Sequence, residues 1–283
     1  MKTIAIQGIA GAYHEIAARK YFKEQREESI DILACTLFED VITAVKKNPT
    51  IIGIMAIENT IVGSLLANHE LIRKSDLVIV GEQKIRISHV LAALQCESLD
   101  NIKEIESNPI ALMQCIDFLR TIPQLKIIES EDTALSAKLI AENKWKNHAA
   151  ICSKYAAELY GLKILKENIE TNKRNFTRFL LLINKFSIKD WIITELINKA
   201  SIVFTLPHTK GSLSKILAIF SFYDVNLTRI QSVPIIGKEW EYLFYVDIIF
   251  DNILLYKQSI NAVKPLANDF KILGEYKENN MVE

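Results

Sequence analysis

The chain has 283 residues, 49% of them apolar and 24% charged, enough for two domains that each bury a hydrophobic core. Lysine plus arginine and aspartate plus glutamate number 34 each, so no overall field draws nucleic acid or an anionic membrane surface, which argues against DNA binding. No apolar run approaches the length of a membrane-spanning helix, and residues 1–7 read as a strand rather than a leader, which points to the cytoplasm.

Strand-length apolar runs alternate with amphipathic stretches of helix length up to about residue 184, the pattern of α/β architecture. A strand over 3–7 leads through a Gly8-to-Gly11 turn into a helix over about 13–23, and a strand over 51–57 precedes a helix over about 64–73. Residues 77–88 are expected to cross into a second lobe with helices over 109–119, 133–142 and 154–160, the last stopped by Gly161, before 175–183 cross back. Residues 188–200 read as a semi-rigid helical connector, since they lack the Gly, Ser and Pro enrichment of a flexible linker. Beyond Ser201 the order is strand 202–206, helix 212–223, strands 225–234 and 240–250 around an Ile236-Gly237-Lys238 turn, helix 253–266 and strand 270–276. That βαββαβ order predicts a ferredoxin-like domain, with residues from Lys277 frayed.

Cys35, Cys96, Cys115 and Cys152 make no CxxC pair, and His14, His69, His89, His148 and His208 make no metal-ligand array, so free buried thiols and no metal are expected. Gly8-x-x-Gly11 lacks both a phosphate-loop ending and the third glycine of a dinucleotide fingerprint, so no nucleotide cofactor is expected. Helix starts directly follow strands at Gly11-Ala12-Tyr13, at Asn59-Thr60 leading to Gly63-Ser64, and at Ser107-Asn108-Pro109, Asp132-Thr133 and Ser153. Several such amide-rich ends converging on one cleft would hold a carboxylate-rich ligand, although each residue taken alone reads first as an N-cap. In Asn175-Phe176-Thr177-Arg178-Phe179 a hydroxyl and a guanidinium stand at the mouth of the apolar run 180–183, where polar groups without partners are costly, which suggests a ligand. His89, inside an apolar stretch, reads as a hydrogen-bonded core histidine.

The Thr177-Arg178-Phe179 signature resembles that of prephenate dehydratases. The resemblance continues in order through residues 7–15, residues 57–64, Gly81-Glu82 with His89, residues 131–134, and Tyr160-Gly161-Leu162. Asn226-Leu227-Thr228-Arg229-Ile230-Gln231-Ser232-Val233-Pro234 is similar to the ACT regulatory domain of such enzymes, with Gln231 and Val233 replacing the usual acidic residue and arginine. The resemblance implies a two-lobed catalytic domain over 1–187, of the type II periplasmic-binding-protein kind, followed by an ACT domain over 200–283. It also implies decarboxylating dehydration of prephenate to phenylpyruvate without a cofactor. Thr177 is then the candidate proton donor to the leaving hydroxide, with Glu58 as a carboxylic acid behind it and Asn59 beside it. Arg178 would orient a substrate carboxylate, with Asn175, Phe179, Thr60, Ser64, Gly11, Ala12, Ser107 and Gln114 completing the substrate site. In an extended strand, however, Thr177 and Arg178 point to opposite faces, so both serve one site only if the backbone bends there. Gly211, Ser212, Leu213, Asn226, Leu227, Thr228 and Ser232 would form an allosteric phenylalanine site in a homodimer or homotetramer. Arogenate dehydratase and a noncatalytic amino-acid sensor remain the alternatives. With no chorismate mutase segment before the first strand, a monofunctional enzyme is expected.

Overall fold

The computed structural model of the protein describes residues 2–26, 29–191, 197–235, 237–238 and 240–279. The first lobe comprises β1 (Lys2–Gln7), α1 (Tyr13–Glu24), β2 (Ile30–Cys35), α2 (Phe38–Lys47), β3 (Ile51–Asn59), β4 (Gly63–Ser64), α3 (Leu66–Ser75) and β5 (Leu77–Arg86), joined later by β11 (Phe176–Asn184). β1 lies parallel to β2 and β3, as helix-connected strands do, whereas β11 runs antiparallel between β3 and β5. The second lobe contains β6 (Val90–Ala93), β7 (Glu104–Ser107), α4 (Pro109–Gln114), α5 (Ile116–Arg120), β8 (Lys126–Glu129), α6 (Thr133–Asn143), β9 (His148–Cys152), α7 (Lys154–Leu159) and β10 (Lys163–Lys166). Its sheet has the order β10-β6-β9-β7-β8, and the chain passes between the lobes after β5 and before β11.

The C-terminal unit follows as β12 (Lys199–Thr205), α8 (Ser212–Phe222), β13 (Asn226–Pro234), β14 (Tyr242–Ile249), α9 (Ile253–Val263) and β15 (Asn268–Tyr276). Its strands lie in the order β13-β14-β12-β15, the antiparallel arrangement of a ferredoxin-like unit. β15 meets β5 through one parallel bridge, Gly274 to Ile79, so the first-lobe sheet and the C-terminal sheet are continuous. A Cβ at Gly274 would collide with the carbonyl oxygen of Ile79, which is why the seam carries a glycine.

Strand alternation divides β11 between two cores. Phe179, Leu181 and Ile183 pack with Ala17, Ala18 and Phe22 of α1, while Leu180 and Leu182 pack with Val203, Tyr245, Leu273 and Tyr276 of the C-terminal unit. β3 carries a bulge opposite this strand: Arg178 pairs with Glu58, but Phe179 pairs with Ala56, leaving Ile57 as the extra residue. The bulge places Asn59 rather than Glu58 on the face shared with Ala56.

Several expectations need correction. Residues 109–119 form two short helices broken at Cys115, because Thr171 of the returning segment takes the Gln114 carbonyl with its N–H (2.8 Å) and accepts from the Asp117 N–H (3.1 Å). Ser64 lies in β4, which folds back on β3, and α3 begins only at Leu66. Of the expected connector over 188–200, the first residues end a 3-10 turn, Lys185–Asp190, and β12 has already begun at Lys199; residues 192–196 of that segment, like Ile236 of the expected hairpin turn, lie outside the described residues. Residues 277–279 are held rather than frayed: the Glu278 N–H donates to Asn198 Oδ1 (2.6 Å) and the Asn279 N–H to Glu82 Oε1 (3.1 Å). Cys115 and Cys152 are buried free thiols, but Cys96 is exposed.

Candidate active site

Between the lobes lies a cavity of about 450 Å³, within the range of small-molecule sites. One wall is apolar, formed by Phe38, Ala56, Val62, Leu65, Ile87 and Phe179, and polar groups converge on it from Asn59, Gln114, Asp132 and Thr177. Asn59 Oδ1 accepts from the Ile61 and Val62 N–H groups (2.9 and 3.0 Å), which fixes the orientation of its carboxamide. Its Nδ2 then donates to Asn175 Oδ1 (2.7 Å) and to Thr177 Oγ1 (2.9 Å). Because Thr177 accepts from Asn59 and has no protein acceptor for its own proton among the described residues, its O–H is left to point at a ligand in the cavity.

Two helix N-termini open on the cavity: α1 through Tyr13 and His14, with no side-chain cap, and α2 through Leu37, Phe38 and Glu39, where Asp40 Oδ2 accepts from the Leu37 N–H (3.0 Å). Their first-turn amides and positive dipole ends are suited to carboxylates. Three of the candidate ends are capped by their own residues. Asn108 accepts from the Ile110 N–H, Asp132 from those of Ala134 and Leu135, and Ser153 from that of Ala156.

Histidines supply the part of the site that sequence reasoning missed. His14 Nε2 accepts from the Ala56 N–H (3.3 Å), and burial lowers its pKa to about 4, so it is neutral at physiological pH. His89 is buried as expected of a core histidine, yet it also lines the cavity. Its Nδ1 lies 3.0 Å from the Tyr13 hydroxyl and its Nε2 2.9 Å from Gln114 Oε1, a chain that ties α1 to the second lobe. Both histidines fall inside the quoted sequence blocks, but nothing in their spacing reveals that they share a cavity.

Of the expected site residues, Thr177, Asn59, Phe179 and Gln114 line the cavity, and Asn175 supports Asn59 from behind, with its own Nδ2 buried and unpartnered. Gly11 forms the turn before α1. Its N–H donates to Glu15 Oε2 (2.7 Å), its carbonyl accepts from Ser153 Oγ (3.0 Å), and φ of +94° with Ala156 close by leaves room only for glycine. Ala12 packs into the second-lobe core with Ala134 and Ala156, and Ser107 is a buried link from β7 to the Ile151 carbonyl of β9 (2.6 Å). Thr60 latches the end of β3 to the Arg174 carbonyl (3.0 Å) and the Phe176 N–H (3.0 Å). None of these four lines the cavity.

Glu58, Ser64 and Arg178 also stand elsewhere. The bulge turns Glu58 away from Asn59, toward Arg178 (3.8 Å) and Arg229 (3.9 Å), and Ser64 accepts from Arg229 Nη2 (3.0 Å). Arg178 is buried on the far face of β11. Its Nε donates to Glu82 Oε2 (2.6 Å), Nη1 to Asp247 Oδ2 (2.5 Å) and Nη2 to the Tyr276 hydroxyl (2.9 Å). With those acceptors engaged and the strand between it and the cavity, its guanidinium does not reach a ligand bound there. The carboxyls that do line the cavity are Glu39, Glu131 and Asp132, and burial raises the pKa of Asp132 against the pull of its two amide donors.

A family model for prephenate dehydratase matches residues 4–187. The chain belongs to the prephenate dehydratase family. Across 96% of its length it is 33% identical to the Arabidopsis thaliana protein named arogenate dehydratase/prephenate dehydratase 2, chloroplastic, and spans 72% of that protein. The crystal structure of prephenate dehydratase in complex with L-Phe from Arthrobacter aurescens matches 99% of the chain and 92% of its own, with a TM-score of 0.83 and 25% identity. A structure described as GqqA, a novel type of quorum quenching acylase, matches 98% of both chains with a TM-score of 0.84 and 27% identity. For a prephenate dehydratase family member, the Thr177–Asn59 pair is the part of the signature that faces the cavity, whereas Arg178 belongs to the seam with the C-terminal unit.

Proposed function

We propose that the chain converts prephenate to phenylpyruvate, carbon dioxide and water, with residues 1–187 as the catalytic domain and residues 200–283 as an ACT regulatory domain. The observation that carries this reading is the Thr177 hydroxyl, held as an acceptor by Asn59 and so left as a donor toward the cavity. Cleavage of the ring carbon–oxygen bond releases hydroxide as the carboxylate leaves as carbon dioxide and its electron pair completes the aromatic ring. One proton is taken up to make water. Thr177 donates to the leaving oxygen, and Asp132, whose raised pKa favours the protonated acid, takes the role expected of Glu58. The ends of α1 and α2 receive the two carboxylates, while the apolar wall holds the ring.

A second reading, arogenate as substrate, is favoured by the three lining carboxylates and the absence of lysine or arginine among the described lining residues, a setting that suits an ammonium group. An acylase reading is weaker, because Thr177 has Asn59 rather than a base beside its hydroxyl. Purified protein incubated with each dehydratase substrate in the presence of a metal chelator should release phenylpyruvate from prephenate faster than phenylalanine from arogenate. The reverse preference would establish the second reading. Turnover of neither would leave a sensor.

The regulatory part of the proposal draws on the ferredoxin-like strand order and on the phenylalanine complex of the Arthrobacter relative. Gly211, Ser212 and Leu213 start α8, and Asn226, Leu227, Thr228 and Ser232 lie on the edge strand β13. A homo-oligomer formed partly through this domain would bind phenylalanine there, more weakly for having Gln231 and Val233 in place of two charges. Calorimetric titration with phenylalanine, run beside the activity assay, should show heat and inhibition at millimolar ligand. Neither signal would mean that the domain is structural only.

A further inference from the structure

Two successive residue pairs cross from β3 to β11, Asn59 with Thr177 and Glu58 with Arg178. The first pair faces the cavity and the second faces the C-terminal unit, one peptide bond away on each strand, about 3.3 Å. The C-terminal unit grips the second pair at two points. Asp247 of β14 accepts from Arg178 Nη1 (2.5 Å) while its other oxygen accepts from Ser201 Oγ of β12 (2.5 Å). Arg229 of β13 donates to Ser64 (3.0 Å), the register partner of Glu58 in β4, and lies 3.9 Å from both Glu58 and Asp247.

These contacts are buried: Arg178 is 7%, Asp247 3% and Glu82 1% exposed. A buried ion cluster at a domain seam is a poor way to gain stability, since well-packed apolar residues of similar volume do as well or better. It is a good way to define orientation, because a forked guanidinium with three fixed acceptors tolerates little rotation. Arg229 Nε, 3.9 Å from Glu58 Oε2, is a buried donor without a hydrogen-bond acceptor, and the residue lines a small void together with His69, whose Nε2 is also buried without a hydrogen-bond partner. The grip on the β4 side is thus incompletely satisfied as it stands.

We propose that Arg178 is a positioning residue that, held by Asp247, sets the placement of the Thr177 hydroxyl and Asn59 carboxamide and so ties turnover to the position of the C-terminal unit. The inference rests on the proposed dehydratase reaction for its kinetic readout but not for its structural one. Loss of the grip leaves the ring pocket and the α1 and α2 ends untouched, so affinity is retained while the hydroxyl is misplaced.

The test is Asp247→Asn, which keeps size and removes charge on the side of Arg178 away from the cavity. With its melting temperature confirming a folded protein, it should lower kcat about tenfold with KM within about twofold, as sub-ångström misplacement of a proton donor does. Arg178→Lys, which keeps the charge and loses the fork, should behave alike. In a Thr177→Ala background Asp247→Asn should add less than about twofold, because the hydroxyl through which it acts is gone. Wild-type kcat in folded Asp247→Asn, or an equal loss in both backgrounds, would overturn the proposal. If Asp247→Asn does not fold, Ser201→Ala loosens the same carboxylate by one bond and is judged by the same criteria, with about a threefold loss expected. Independently of any activity, the Asn59 side-chain NH2 signals in NMR spectra should shift in Asp247→Asn or Ser201→Ala. Unmoved signals sink the coupling even if the enzyme is active, whereas shifted signals in a protein that turns over neither substrate sink only the assigned reaction.

Discussion

Thr177→Ala is expected to lower kcat by about two to four orders of magnitude, the range for losing a positioned proton donor, with little change in KM. The effect falls on kcat because the hydroxyl meets the leaving oxygen as charge develops there, while ring and carboxylates are held by Phe179, the apolar wall and the helix ends. The fold should survive. Removal of Oγ1 frees one N–H of Asn59, whose other contacts to Asn175, Ile61 and Val62 remain, and the loss of one hydrogen bond costs about 1 kcal/mol. Thr177→Ser keeps the hydroxyl and should keep most of the turnover. Steady-state kinetics on prephenate with a thermal melt of each variant checks this; an alanine variant with wild-type kcat would remove Thr177 from the reaction.

Much of the fold was legible in the sequence. β1, β3, β5 and β11 are apolar runs bounded by turns, and the C-terminal strand and helix order follows directly from the change in periodicity after Ser201. Breaks that depend on distant partners were not. The split at Cys115 exists because Thr171 arrives from a strand crossing more than fifty residues later, and no local propensity signals it. The strand at Gly63–Ser64 is set by pairing with β3, which outweighs its resemblance to a helix start.

The site was legible as chemistry and illegible as direction. Alternation correctly warns that Thr177 and Arg178 face opposite ways, yet what lies on the far side depends on β14 and β15 docking there. Plain alternation along β3 sets Glu58 beside Ala56 on the cavity face; the bulge at Ile57 reverses this and delivers Asn59 instead. One of the carboxyls in the cavity, Asp132, looks from sequence like a helix cap and is one, which hid its second exposure to the ligand space.

Arg178→Met should be the most destabilising single change at the seam, by about 3–5 kcal/mol at pH 7, because removing one member of a buried ion cluster leaves its partners charged and desolvated. Glu82 would retain Lys199 (2.9 Å), but Asp247 would be left with Ser201 and a more distant Arg229. In the intact protein burial pushes both carboxyls up, and the attraction of Arg178, joined by Lys199 at Glu82, outweighs it, leaving Glu82 below its ordinary value and Asp247 at about 2. A depressed folded pKa contributes stability that is fully present above the unfolded value, roughly 4, and is lost as pH falls through the folded one. Without Arg178 the burial effect is no longer outweighed at Asp247, so protonation there relieves the variant while still costing the wild type. The deficit should therefore be largest at neutral pH and shrink toward pH 4. Urea unfolding of both proteins at pH 7 and pH 4 measures it: a deficit below about 1 kcal/mol at pH 7 would mean the cluster is not desolvated. One that stays constant on acidification would mean the lost stability comes from packing of the arginine stem rather than from the charges it holds.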